Sequence, residues 1–121
     1  MSSIDIQFQT IENKTTPTYI ITLVGKFDET NISVKAPEID NFISENVTAG
    51  SAVIFDVTDL SYINSKGIGS FSEWYMTLES QNTRMIISGM SEEMRTIFDI
   101  VSLLDIFETY DNNNLALDSI S

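Results

Sequence analysis

The chain has no cysteine and no histidine. The first absence excludes thiol catalysis, disulfide staples and thiolate metal sites, and it fits a reducing compartment. The second removes imidazole acid–base chemistry and the commonest metal ligand. Together they count against most enzyme readings, and neither a cofactor nor a metal site is expected. Basic residues are few: six against 18 acidic ones, for a formal net charge of −12. Half of that excess lies in the last 30 residues, from Glu92 onward, where Arg95 is the one basic side chain. A field of this sign repels nucleic-acid phosphates and anionic lipid and favours a partner with a basic surface. No apolar run exceeds six residues, far short of a membrane span, and the N-terminus has neither a basic nor an apolar leader segment. The chain is therefore expected in the cytoplasm, without nucleic acid and without membrane insertion.

What is present is an ordinary globular composition. Hydrophobic residues make up 42% of 121 positions, with two prolines and five glycines, enough for one domain over residues 1–121 with a core of its own. Ile4-Asp5-Ile6-Gln7-Phe8 alternates as a half-buried strand does. Glu12 to Pro17 reads as a turn, Thr18 to Val24 as a second strand antiparallel to the first, and Gly25 as its end. Ile32, Ala36, Ile39 and Ile43 share one helical face, and Pro37 places the start of the regular helix a residue or two before itself. Ala52 to Val57 is a nearly continuous apolar run, as for a strand covered on both faces. Ile68, Phe71, Tyr75 and Leu78 mark a second helix. Met85 to Ser88 is a further strand, and Ser91 caps a third helix through Val101, with Glu92 and Glu93 in its first turn. Ile106-Phe107 is either a short fifth strand or a loop, and the tail carries a weak final helix. Strands alternating with helices after an initial hairpin predict an α/β domain: a mixed sheet of four to five strands with helices packed against it.

The most informative stretch is Asn64-Ser65-Lys66-Gly67-Ile68-Gly69, where the turn after the apolar strand leads into the second helix. A helix start offers unpaired N–H groups and a partial positive charge. Ser65 there is either a capping serine or a site where a phosphate is added and tolerated. In the second case the free N–H groups are expected at Gly67 and Ile68. Gly67 and Gly69 read as small residues that let the helix approach the sheet, since Walker-type spacing is absent. Trp74 lies off the strict stripe and reads as either a core flank or an exposed interface anchor, with the core favoured. Asp56 and Asp59, three apart, read as turn residues and not as metal ligands.

These residues give the chain a family resemblance. The run from Val53 through Gly69 resembles the strand, serine turn and helix of the STAS domain, the fold of bacterial anti-sigma-factor antagonists. Gly25-Lys26-Phe27-Asp28 matches that family's glycine and acidic residue before the first helix. Gly89-Met90-Ser91 through Phe98, then Leu103 and Ile106-Phe107, matches its third helix and the following turn. The resemblance implies that Ser65 is a phosphate acceptor, modified by an anti-sigma factor with protein-kinase activity and restored by a phosphatase. It also implies that Asp28, Asn64, Ser65, Lys66 and Gly67 face the partner, and for Asp28 a loop residue capping the next helix is the other reading. Three departures stand out: Asn64 where the family has aspartate, Lys66 where it has a small hydroxyl residue, and Ser102 where many members have glycine. The alternative implied function is a STAS scaffold or subunit that is never phosphorylated, in a signalling or lipid-transport complex.

Overall fold

The computed structural model describes residues 3–121. The alternating first segment forms β1 (Ile4–Ile11), three residues longer than its expected core, and pairs antiparallel with β2 (Thr18–Phe27). Gly25 does not end β2. It adopts φ +117, a conformation that side chains disfavour, and a Cβ there would sit 2.4 Å from the Ser3 carbonyl oxygen. The strand bends through this point, with a register shift between Gly25 and Lys26, and continues to Phe27.

That continuation shapes the rest of the sheet. On the side of β2 away from β1, Thr18–Thr22 pairs in parallel with β3 (Ala52–Asp56). Gly25–Phe27 pairs in parallel with β4 (Leu60–Ile63). β5 (Arg84–Ser88) lies parallel to β3, and β6 (Glu108–Tyr110) parallel to β5. The sheet thus has six strands in the order β1-β2-β3-β5-β6, with β4 attached to β2, against the four or five expected. The extra one is β4, a segment of four residues with Leu60 and Ile63 buried and Ser61 and Tyr62 exposed. It lacks simple alternation, and its partner exists only because β2 passes Gly25. Ile106-Phe107 is loop: Phe107 packs its ring against Tyr75 and Phe98, and β6 starts one residue later.

Side-chain alternation sends Tyr19, Ile21, Leu23, Val53, Phe55 and Ile87 to one face of the sheet. There they meet α1 (Ile32–Asn46), α2 (Ser65–Ser80) and α3 (Glu92–Ile100). Ile20, Ala52, Ile54 and Ile86 point to the other face, where α4 (Asn113–Asp118) and the residues after it supply Ala116 and Ile120. Both faces of β3 are covered, which is why its sequence is apolar from Ala52 to Phe55. Trp74 is buried, stacked on Phe55 at 5.2 Å between ring centroids, and its indole N–H donates to Asp40 Oδ1 at 2.7 Å. That bond joins α2 to α1 and gives a buried donor its acceptor.

Helix boundaries follow local chemistry with one exception. α1 begins at Ile32, five residues before Pro37 and earlier than the proline suggested. The start is fixed upstream: the amides of Asn31 and Ile32 donate to the Asp28 carbonyl, and Lys35 N–H donates to Asn31 O at 2.9 Å. Pro37 then removes only the donor for the Ser33 carbonyl; Ser33 and Pro37 are both exposed, so water can take that donor's place. Ser91 caps α3 as expected, accepting from Met94 N–H at 3.1 Å, and Glu92 and Glu93 stand in the first turn. α3 ends with Ser102 N–H on Asp99 O and Leu103 N–H on Phe98 O, both at 2.9 Å. This pair of bonds requires a left-handed residue, and Ser102 takes it at φ +60.

Candidate functional site

β4 delivers the chain to the mouth of α2. Asn64 is extended, and its N–H donates to the Phe27 carbonyl at 3.3 Å, tying the junction to the end of β2. Its side-chain Oδ1 accepts from Gly67 N–H at 2.9 Å, and its backbone carbonyl accepts from Ile68 N–H at 3.0 Å. Asn64 is therefore the N-cap, and Ser65 is the first residue of the helix. The capping alternative for Ser65 is overturned for a simple reason: the residue before it already holds the amide a cap would hold. Ser65 is exposed, and its hydroxyl makes no hydrogen bond among the described residues.

The same geometry corrects the position of the free donors. Gly67 and Ile68 N–H, expected to be open, are both engaged by Asn64. The first-turn amides without an intrahelical acceptor are those of Ser65 and Lys66. Gly67 does serve close approach: a Cβ there would lie 2.6 Å from Ile63 Cγ1 and 2.9 Å from Phe27 Cδ2. Gly69 does not, because among the described residues nothing beyond its chain neighbours and its own helix backbone lies within 4 Å of its Cβ position. It lines an open groove of about 450 Å³ between the starts of α1 and α2, with Glu29, Ile32, Ser33, Lys66, Ser70 and Glu73.

Asp28 lies in the loop beside this groove but is only 7% exposed. Its Oδ1 accepts from Thr30 N–H at 2.9 Å and from the Thr30 hydroxyl at 2.6 Å, while its own N–H donates to Asn31 Oδ1 at 3.1 Å. Asn31 in turn donates from Nδ2 to the Lys26 carbonyl at 2.7 Å. These bonds fix the β2–α1 loop and set the start of α1. The exposed carboxylate of this loop is the next residue, Glu29, whose Oε2 accepts from Asn64 Nδ2 at 2.8 Å. Glu29 belongs to no motif or periodic pattern in the sequence. Its only signal was adjacency to Asp28, and its partner lies 35 residues away.

Lys66 is exposed beside Ser65. Asp56 and Asp59 do not converge on a shared site. Asp59 lies in the turn, as expected, whereas Asp56 is the last residue of β3: its Oδ1 accepts from Thr58 N–H and hydroxyl at the head of that turn, and its Oδ2 accepts from Asn113 Nδ2 at 2.9 Å. Among the described residues no helix is long and apolar enough to cross a membrane.

Comparison with known proteins agrees with this architecture. An anti-sigma-B factor antagonist of Listeria monocytogenes is 26% identical over 99 residues, covering 81% of this chain and 83% of that protein. The structure is similar to that of an anti-sigma factor antagonist from Mycobacterium paratuberculosis, with a TM-score of 0.81 at 14% identity, over 98% of this chain and 94% of that one. It is also similar to the phosphorylated form of the Bacillus cell fate determinant SpoIIAA, with a TM-score of 0.66 at 23% identity, over 93% of this chain and 98% of that one. The STAS domain family model matches residues 7–116. By that match, across the serine junction and all but the ends of the chain, the protein belongs to the STAS domain family.

Proposed function

We propose that this protein is an anti-sigma-factor antagonist. In this reading the mouth of α2 docks an anti-sigma factor with kinase activity, and phosphorylation of Ser65 switches that contact off. One observation carries the reading: with Asn64 as the cap, the Ser65 hydroxyl is exposed and unengaged at the start of a helix. Ser65, Lys66 and Asn64 form the docking surface, Gly67 lets it lie flat on the sheet, and Asp28 holds the neighbouring loop in place. The names of the relatives support the partner class.

The physics of such a switch is local. A phosphate on Ser65 adds about −1.5 to −2 charge at neutral pH. The open amides of Ser65 and Lys66, the helix dipole and the Lys66 ammonium all favour an anion there, so α2 need not unwind. The effect falls on the partner, which must dock against a hydrated dianion. Loss of one well-packed contact at ~1–3 kcal/mol corresponds to roughly five- to 150-fold in affinity. A phosphatase resets the site, and all three proteins share the cytoplasm.

One observation favours a second reading, a STAS scaffold that is never phosphorylated. The Asn64 amide draws the Glu29 carboxylate toward the junction, which puts a like charge near any phosphate on Ser65. A single experiment separates the two. The purified chain is mixed with the anti-sigma kinase encoded in the same genome and ATP, and intact mass is followed. Gain of one phosphate, lost in Ser65→Ala, supports the switch. Binding without any gain in mass supports the scaffold, and no binding at all rejects the antagonist reading.

A further inference from the structure

The Glu29–Asn64 hydrogen bond does more than join two loops. Asn64 uses both ends of its amide: Oδ1 caps α2 through Gly67 N–H, and Nδ2 holds Glu29 Oε2 at 2.8 Å. An asparagine fixed at one end by a helix cap has little freedom at the other. The carboxylate it holds is consequently an exposed negative charge with a set position beside Ser65. The nearby alternatives are less suited to this. Asp28 is buried and bonded within its own loop. Glu73 lies on the far side of Lys66 in the sequence, two helical turns into α2.

We propose that Glu29 is the specificity-determining charge of the Ser65 site, and that Asn64 is its positioning residue. Glu29 receives a basic side chain of the docking kinase, and Asn64 sets where that basic group must be. This rests on the antagonist reading and adds to it the chemistry of the partner's contact, a lysine or arginine aligned on the Ser65 face. An exposed charge at the rim of an interface acts mainly through association rate and salt dependence. Its contribution is of the size of a surface ion pair, about three- to fivefold in affinity at low salt.

The test uses the full chain and three variants: Glu29→Gln, Asn64→Asp, and both together. Glu29→Gln keeps an oxygen for the Asn64 amide but removes the charge. Asn64→Asp places two carboxylates within hydrogen-bonding distance. The double variant moves the charge to position 64 and reverses the bond, with the glutamine amide donating. Affinity for the anti-sigma kinase of the same genome is measured from low to high salt, together with KM and kcat for Ser65 phosphorylation. Glu29→Gln is expected to weaken binding about three- to fivefold at low salt, to flatten the salt dependence and to raise KM with kcat unchanged. The double variant is expected to recover affinity to within about twofold of wild type. In thermal melts of the free chain, Glu29→Gln is expected to raise Tm when combined with Asn64→Asp and not when introduced alone. That result shows the pair coupled without any partner present. Wild-type binding matched by Glu29→Gln at every salt concentration overturns the role of Glu29 alone. A wild type that binds no kinase overturns the antagonist reading and this proposal with it.

Discussion

Replacing Asn64 and Ser65 in turn by alanine separates the two roles that the sequence left open for one hydroxyl. Asn64→Ala removes the acceptor of Gly67 N–H in the first turn of α2. Loss of such a cap costs about 1 kcal/mol, within a range of roughly 0.5–2. The bond to Glu29 is exposed and adds at most a few tenths. Ser65→Ala removes an oxygen with no partner at an exposed first helical position, where alanine is the better helix former, so its cost is expected near zero. For 121 residues the unfolding entropy near the midpoint is roughly 0.25 kcal/mol/K, so a cap worth about 1 kcal/mol corresponds to a fall in Tm of about 4 °C. Thermal and urea melts of the wild type and both variants measure this, and an unchanged urea m-value is expected if only the cap is lost. The reasoning is refuted if Ser65→Ala destabilises as much as Asn64→Ala. That outcome makes Ser65 a structural serine and removes the free hydroxyl on which the switch depends.

Two further outcomes follow from the ends of the fold. Ser102→Gly is expected to stabilise the chain by about 0.5–1 kcal/mol in urea melts, because serine at φ +60 carries about 1–2 kcal/mol of strain, of which glycine's greater freedom when unfolded offsets part. Glu108 is the acid-sensitive group of the β5–β6–α4 corner. Burial pushes its carboxyl up, but hydrogen bonds from Arg84 and Tyr110 and the Arg84 charge outweigh this, and its pKa falls below the ordinary 4.5. A lowered folded-state pKa contributes stability that is present above 4.5 and lost as pH falls through the lowered value. Wild type is therefore expected to melt above Glu108→Gln at about pH 7, with the gap closing below pH 4.5; a gap that persists at lower pH refutes the assignment.

Much of the architecture was legible because it is written in local periodicity. The helical stripe of Ile68, Phe71 and Leu78, the alternation of β1 and the Ser91 cap depend on residues within a few positions of one another. The misreadings involve partners distant in sequence. β4 exists because β2 bends through Gly25, 35 residues before Leu60, and meets it there. The early start of α1 rests on carbonyls of the preceding loop, which outweighed the single bond lost at Pro37.

The serine junction shows the same division on a smaller scale. By itself the sequence determined that a hydroxyl stands where a strand and its turn give way to a helix, since apolar patterning marks both elements. Whether that hydroxyl is used up as a cap or left open was decided by tertiary structure. Asn64 and Ser65 are both competent caps, and the strand before them chose Asn64 by anchoring its amide on Phe27. Only the folded chain could bring Glu29 to the Asn64 side chain, because a hydrogen bond of 2.8 Å between residues 35 apart leaves no trace in the spacing of either.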